Sequence, residues 1–127
     1  MKRILVIDDD VQMRQMLRQL LERQGYDVVE AQDGKEGLNL YRQAPTDLVI
    51  TDIIMPEKEG VETIIELKRD FPDVKIIAIS GGSRGIDSTN CLYYVKQFGA
   101  DYIFAKPFDR KILLEAVQEL LGEVAVS

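Results

Sequence analysis

The chain has 127 residues and a net charge of −6, with 46% hydrophobic and 30% charged residues, which suits one globular domain. The acidic balance argues against nucleic acid or an anionic membrane as the main partner, and it favours cations and basic protein surfaces. Because the chain has no histidine and one cysteine, it offers no histidine base, histidine ligand, phosphohistidine or internal disulfide.

The first apolar run, Ile4–Ile7, is four residues long and ends at Asp8. Such a run is too short for a signal peptide or a transmembrane helix. We therefore expect a cytoplasmic protein, and the single Cys91 is compatible with a reducing compartment.

Short apolar runs alternate with amphipathic segments along the chain, which indicates alternating strands and helices. In chain order the patterns predict a strand at Arg3–Asp8, a helix at Val11–Gln24, a strand at Tyr26–Ala31, a helix from Asp33 to about Arg42, a strand at Asp47–Asp52, a helix at Val61–Asp70, a strand at Val74–Ser80, a helix from about Ser88 to Phe98, a strand at Tyr102–Ala105 and a helix capped by Asp109 and running through Leu121. Loops are predicted at Pro56–Gly60 and Gly81–Gly85.

The first, third and fourth predicted strands are apolar throughout rather than alternating. This is expected when helices cover both faces of a parallel sheet. Right-handed crossovers then favour an α/β fold with a doubly wound sheet of five strands. We expect a single domain over residues 1–127, in which 122–127 form a short tail.

Polar side chains follow four of the five predicted strands, at the edge where an open parallel sheet binds its ligands. They are Asp8-Asp9-Asp10, Asp52, Ser80 and Lys106. Each also has a simpler interpretation: Asp10 as a helix cap, Asp52 as a turn residue, Ser80 as a strand-end hydroxyl and Lys106 as solvated surface.

Taken together, these residues predict a site for phosphoryl chemistry. Carboxylates a few ångströms apart repel and raise one another's pKa, so that positive charge is needed between them. Lys106 supplies one charge, and Mg²⁺, which prefers carboxylate and phosphoryl oxygens, supplies the rest. A carboxylate can attack phosphorus to form an acyl phosphate, whose oxygens the metal, the Ser80 hydroxyl and the Lys106 ammonium can bind.

The same residues resemble a response-regulator receiver domain of two-component signalling, over essentially the whole chain. The matching motifs are Ile4-Leu-Val-Ile-Asp-Asp-Asp10, Leu48-Val-Ile-Thr-Asp52 with Met55-Pro56 and Gly60 after it, Ile79-Ser80-Gly81, and Lys106-Pro107-Phe108. The resemblance implies the flavodoxin-like strand order 2-1-3-4-5.

The resemblance also implies a role for each residue of the site. Asp52 would accept the phosphoryl group from a phosphohistidine on a sensor histidine kinase or a histidine phosphotransfer protein. The phosphoryl group would contact Ser80 and Lys106, and a cis peptide would precede Pro107. The Mg²⁺ ligands would be Asp8, Asp9, Asp52 and the backbone carbonyl of Ile54.

The chain departs from the family pattern near its output face. Ile103 stands three residues before Lys106, where the family usually has an aromatic residue, and Tyr102 and Phe104 flank it. The segment Ser80–Gly99 is a few residues longer than in typical receivers. We interpret it as a mobile loop followed by a displaced or extended helix.

Our functional hypothesis is a binding switch rather than an enzyme acting on other molecules. Phosphorylation of Asp52, which the chain itself would catalyse and slowly reverse, would change protein contacts on the face formed by the fourth predicted helix, the fifth strand and the last helix. Met1 and the short tail lead us to expect a stand-alone regulator. Its downstream protein partner is not specified by the sequence.

Two other functions fit parts of the pattern. The run Asp8-Asp9-Asp10-Val11 resembles the signature of haloacid-dehalogenase phosphatases, in which Asp8 would be the nucleophile. The short chain, without that family's cap segment or late acidic pair, argues against it. A flavin mononucleotide binder is disfavoured because three aspartates after the first strand would repel the cofactor phosphate.

Overall fold

The computed structural model describes residues 2–53, 59–80 and 99–122. Within these ranges strands and helices alternate along the chain. The elements are β1 (Arg3–Ile7), α1 (Val11–Glu22), β2 (Asp27–Ala31), α2 (Gly34–Gln43), β3 (Leu48–Asp52), α3 (Glu59–Asp70), β4 (Ile76–Ser80), β5 (Tyr102–Ala105) and α4 (Arg110–Leu120). Several predicted segments lie outside the described residues. They are the helix from Ser88 to Phe98, the loop Gly81–Gly85, the loop Pro56–Gly60 apart from the backbone of residues 59–60, and residues 123–127 of the tail.

The five strands form one parallel sheet in the order β2-β1-β3-β4-β5, which confirms the predicted fold class and strand order. Every residue of β3 and β4 is buried, as their continuous apolar sequences require in a sheet covered on both faces. No helix in the described ranges is long and apolar enough to cross a bilayer.

Two hydrophobic clusters lie on opposite faces of the sheet. One packs side chains of α2 and α3, such as Leu38 and Ile64, against the sheet, and the other packs side chains of α1 and α4, such as Leu17 and Leu113. Alternate residues of each strand contribute to opposite clusters because successive side chains point to opposite faces. This double burial fixes the height of every strand end relative to its neighbours.

The strand register sets the positions of the site residues. Ile7, just before Asp8, pairs with Thr51, just before Asp52. On the other side of β3, Asp52 pairs with Ile79, which precedes Ser80. Ser80 in turn pairs with Ala105, which precedes Lys106. Four chemically important positions therefore lie at one edge of the sheet.

Aspartates begin three of the helices, because a side-chain oxygen can accept from the free backbone N–H groups of a first turn. The Asp33 and Asp109 carboxylates accept from residues in the first turns of α2 and α4, as predicted. Asp10 accepts from the Gln12 N–H at 2.9 Å, so its interpretation as the cap of α1 is also confirmed. The Lys106–Pro107 peptide bond is cis, as the resemblance implied.

Helix α2 lies unusually close to the end of β1. A Cβ atom added to Gly37 would lie 2.4 Å from Cδ1 of the buried Ile7, a distance that no side chain tolerates. Glycine is therefore required for the approach of this helix to the strand. The contact is made by the residue directly before Asp8, so α2 packs next to the start of the acidic segment.

Candidate functional site

The first carboxylate of the site, Asp8, is held by its own backbone surroundings at the end of β1. It is 1% exposed, and its N–H donates to the Ala31 carbonyl at 3.1 Å. Its Oδ1 accepts from the Asp10 N–H at 2.8 Å. These contacts fix the side chain over the end of the sheet, and Oδ2 remains without a hydrogen bond among the described residues.

Three carboxylates meet at this edge. Asp8, Asp9 and Asp52 each offer one oxygen, and these oxygens all lie within 4.8 Å of one another. Asp8 and Asp52 are buried, whereas Asp9 is exposed. The cluster therefore opens to solvent on the Asp9 side, as a site that exchanges an ion or a phosphoryl group must.

In the described part of the chain, the cation that faces the two buried carboxylates is Lys106, the residue directly after β5. The Lys106 ammonium lies 3.0 Å from Oδ2 of Asp52 and 3.6 Å from Oδ2 of Asp8. The Lys106 N–H donates to the Ser80 carbonyl at 2.7 Å, which ties its backbone to the end of β4. Burial acts to lower the pKa of the lysine, but its hydrogen bond to Asp52 and the two carboxylate charges outweigh burial and raise it.

The positive charge of Lys106 does not neutralise all three carboxylates, and the pKa of Asp8 shows the effect. Burial raises the pKa of Asp8 to about 6, with the Asp10 N–H and Lys106 opposing the rise and Asp52 and Asp9 adding to it. Since burial is the largest cause, the Asp8 carboxylate lacks the solvation it would have in water. A divalent cation bound to the carboxylate would offset this loss of solvation.

The hydroxyl of Ser80 gives a second sign that the site is built for a ligand. Ser80 is fully buried, and its Oγ has no hydrogen-bond partner among the described residues. Leaving a buried hydroxyl unpaired costs roughly 1–3 kcal/mol, so such an atom needs an explanation. The two buried oxygens without a hydrogen bond, Ser80 Oγ and Asp8 Oδ2, are what a site for a metal ion and an oxygen-rich ligand at the end of the sheet would require.

The structure brings together Asp8, Asp9, Asp52 and Lys106 and places Ser80 at the neighbouring strand end. The third acid of the first motif, Asp10, caps α1 instead of joining the cluster. Ile54, the proposed carbonyl ligand, lies outside the described residues.

The departure at Ile103 also has a structural expression. Ile103 packs against the cluster below α2 and α3, whereas Tyr102 and Phe104 pack against the cluster of α1 and α4. Because neighbouring strand residues point to opposite faces, neither flanking aromatic can occupy the space of residue 103. The two rings stack on each other with centroids 6.3 Å apart.

Sequence reasoning missed one residue at the site. The Arg14 Nη1 of α1 donates to the Asp8 carbonyl at 2.6 Å. An arginine on an amphipathic helix reads as solvated surface, and only the packing of α1 beside β2 shows that its side chain turns inward. Its position one turn into the helix after the acidic run is the sole sequence signal.

Comparison with known proteins gives the family. The model of the response regulator receiver domain matches residues 4–118. The chain is 33% identical over 120 residues to the chemotaxis protein CheY of Thermotoga maritima, covering 94% of this chain and 97% of that protein. It is 32% identical over 121 residues to the transcriptional regulatory protein CpxR of Escherichia coli, covering 95% of this chain and 50% of that protein. The chain thus spans about half the length of the transcriptional regulators it matches.

Solved structures agree with this result. A CheY-like receiver domain protein from Methanospirillum hungatei superposes with a TM-score of 0.84 at 32% identity, covering 96% of this chain and 94% of that one. The response regulator TrrA from Thermotoga maritima, solved in complex with Mg²⁺ and beryllium fluoride, gives a TM-score of 0.79 at 34% identity, covering 94% and 99%. With the acidic cluster at the end of its sheet, this chain belongs to the response-regulator receiver family.

Proposed function

We propose that the protein is a phosphorelay receiver that accepts a phosphoryl group on Asp52 and transmits the change through protein contacts. The observation that supports this most directly is the position of Asp52. It is a buried carboxylate that shares an oxygen cluster with two other acids and pairs with Lys106 at 3.0 Å. Such an arrangement suits a nucleophile surrounded by charge-stabilising groups.

Mg²⁺ is the metal we propose for the site. Its ligands would be Asp8, Asp9, Asp52 and the backbone carbonyl of Ile54. Bound there, Mg²⁺ would neutralise the carboxylates and stabilise charge on a phosphoryl oxygen. The raised pKa of Asp8, and its Oδ2 that accepts no hydrogen bond from the described residues, support a cation at this position. The related TrrA, which is 34% identical, was solved with Mg²⁺ and beryllium fluoride, and this supports Mg²⁺ as the metal here.

The chemistry of the transfer follows from the side chains. An oxygen of Asp52 attacks phosphorus, and the nitrogen–phosphorus bond of a phosphohistidine breaks. The electron pair goes to the imidazole, which takes up a proton, and an acyl phosphate remains on Asp52. The Lys106 ammonium and the Ser80 hydroxyl would hold the oxygens on which charge accumulates.

The phosphodonor would be a sensor histidine kinase or a histidine phosphotransfer protein in the cytoplasm. The output would be a change of contacts on the face that includes β5 and α4, with residues 1–127 acting as one receiver domain. The acyl phosphate would also hydrolyse slowly on the protein.

Phosphorylation by acetyl phosphate with Mg²⁺ tests this proposal. We expect wild-type protein to gain one phosphoryl group and Asp52→Asn to gain none, as measured by intact-protein mass. Borohydride reduction and peptide mapping should place the acyl phosphate at residue 52. Full labelling of Asp52→Asn, with loss of labelling in Asp8→Asn, would instead support a phosphatase-like nucleophile at Asp8 and overturn the proposal.

A further inference from the structure

Arg14 connects the acidic segment to the body of the protein. Its Nη1 donates to the Asp8 carbonyl at 2.6 Å, and its backbone N–H donates to the Asp10 carbonyl at 3.0 Å. The backbone bond is the first of helix α1 itself, to its capping residue, and the side-chain bond ties this first turn to the residue that follows β1. A charge-assisted hydrogen bond of this length is among the stronger kinds in proteins.

The guanidinium is itself held in place. The Arg14 Nε lies 3.3 Å from Oε1 of Glu30 on β2, and the Arg14 side chain is only 14% exposed. The other oxygen of Glu30 pairs with Nη1 of Arg18 at 2.7 Å. Glu30 therefore orients Arg14 from the side opposite to the Asp8 carbonyl, and little freedom remains in the side chain.

The contact acts on the peptide bond between two of the proposed metal ligands. The registered strand pairs end at Ile7, and the Asp8 N–H still donates to the Ala31 carbonyl, so the sheet holds the chain only up to the Asp8 nitrogen. The Asp8 carbonyl belongs to the peptide plane that continues into Asp9. Fixing that carbonyl fixes the peptide plane that carries the Asp9 nitrogen and Cα, and so it fixes the point from which the Asp9 side chain leaves the backbone.

We propose that Arg14 is a positioning residue, which holds the Asp8–Asp9 peptide so that the two carboxylates are pre-arranged to bind Mg²⁺. This inference rests on the metal site of the proposed function. The role is one of orientation rather than charge compensation, since Arg14 contacts the backbone of Asp8 while Lys106 faces its carboxylate. Residues that orient metal ligands typically contribute about 10–100-fold to metal affinity.

The chain offers a matched control. Arg18 pairs with the same Glu30 and carries the same charge on the same helix, but its contacts go to Glu30 and Glu22. Arg18→Gln thus removes an equal charge but leaves the hydrogen bond to the Asp8 carbonyl in place, whereas Arg14→Gln removes that bond. Titration of Mg²⁺ alone into metal-free protein, followed by calorimetry at constant ionic strength, compares the two.

We expect Arg14→Gln to weaken Mg²⁺ binding about tenfold or more, and Arg18→Gln to change it by no more than about twofold because an exposed charge is screened. Arg14→Lys keeps the charge but loses the planar guanidinium that contacts both the Asp8 carbonyl and Glu30. This variant should bind Mg²⁺ with intermediate affinity. Thermal unfolding in chelator shows whether each variant is folded, and Arg14→Lys carries the test if Arg14→Gln is not.

The outcomes separate the inference from the proposed function. Wild-type binding with an unchanged Arg14→Gln would overturn the inference alone. Equal weakening in Arg14→Gln and Arg18→Gln would also overturn it, because the effect would then be one of charge. A wild-type protein that binds no Mg²⁺ would overturn both this inference and the metal site on which it rests.

Discussion

Lys106 and Asp52 form an ion pair across two strands that are not neighbours, with Nζ of the lysine 3.0 Å from Oδ2 of the aspartate. The lysine side chain is 22% exposed and that of Asp52 is 4% exposed. The pair therefore lies where water screens it poorly, and removing the lysine leaves buried negative charge without its cation.

We expect this pair to be energetically coupled. In urea unfolding of metal-free protein at pH 7, the cycle of Lys106→Met, Asp52→Asn and the double variant should give a coupling energy of about 2 kcal/mol. The matched comparison is Arg18–Glu22, an ion pair at 3.3 Å whose side chains are 45% and 46% exposed. Its own cycle should give less than about 0.5 kcal/mol. Equal coupling in the two cycles would contradict the burial argument.

The positions of these residues could be predicted from the sequence because buried parallel strands are continuous apolar runs that end abruptly. Asp8, Asp52 and Ser80 each directly follow such a run or end it. The register could not be predicted, since β3 alone does not specify that Asp52 lies beside Ile79. Only the packing of helices on both faces selects one offset between strands.

The errors at element boundaries also have local causes. Val74 was predicted to begin β4, which instead begins at Ile76. Val74 is apolar and buried like a strand residue, but its N–H donates to the Phe71 carbonyl and its own carbonyl accepts from Lys68. Those bonds commit it to the turn after α3. Such competition between a turn and a sheet is decided by tertiary contacts that the apolar pattern does not contain.

The metal-free protein should lose stability as the pH rises through the range in which Asp8 ionises. Its pKa is raised from 3.8 to about 6 in the folded protein, so the folded state binds this proton more tightly than the unfolded state does. The linked stability is fully present below about pH 4 and is lost as the pH rises to about 6 and above.

Asp8→Asn isolates this effect because the amide oxygen can still accept from the Asp10 N–H. We expect the substitution to raise the free energy of unfolding by about 2 kcal/mol at pH 7 and by much less at pH 4, as measured in chelator. Asp10→Asn is the control, since asparagine caps a helix as well as aspartate does. A gain for Asp8→Asn that is equal at both pH values would contradict the argument.

Substitutions of two adjacent acids of the first motif, Asp9 and Asp10, should differ sharply in their effect on the response to Mg²⁺. Asp9 lies in the oxygen cluster, whereas Asp10, directly after it, caps α1. Mg²⁺ should raise the melting temperature of the wild-type protein, since a ligand that binds only the folded state stabilises it. Asp9→Asn should lose most of this rise, and Asp10→Asn should retain it.

The measurement is thermal unfolding over a series of Mg²⁺ concentrations at pH 7. Ionic strength is held constant with NaCl, because a protein with a net charge of −6 is also stabilised by screening. Each tenfold loss of affinity lowers the stabilisation at high Mg²⁺ by about 1.4 kcal/mol. An equal loss in both variants would mean that Mg²⁺ responds to the charge of the segment rather than to the cluster that the strand ends assemble.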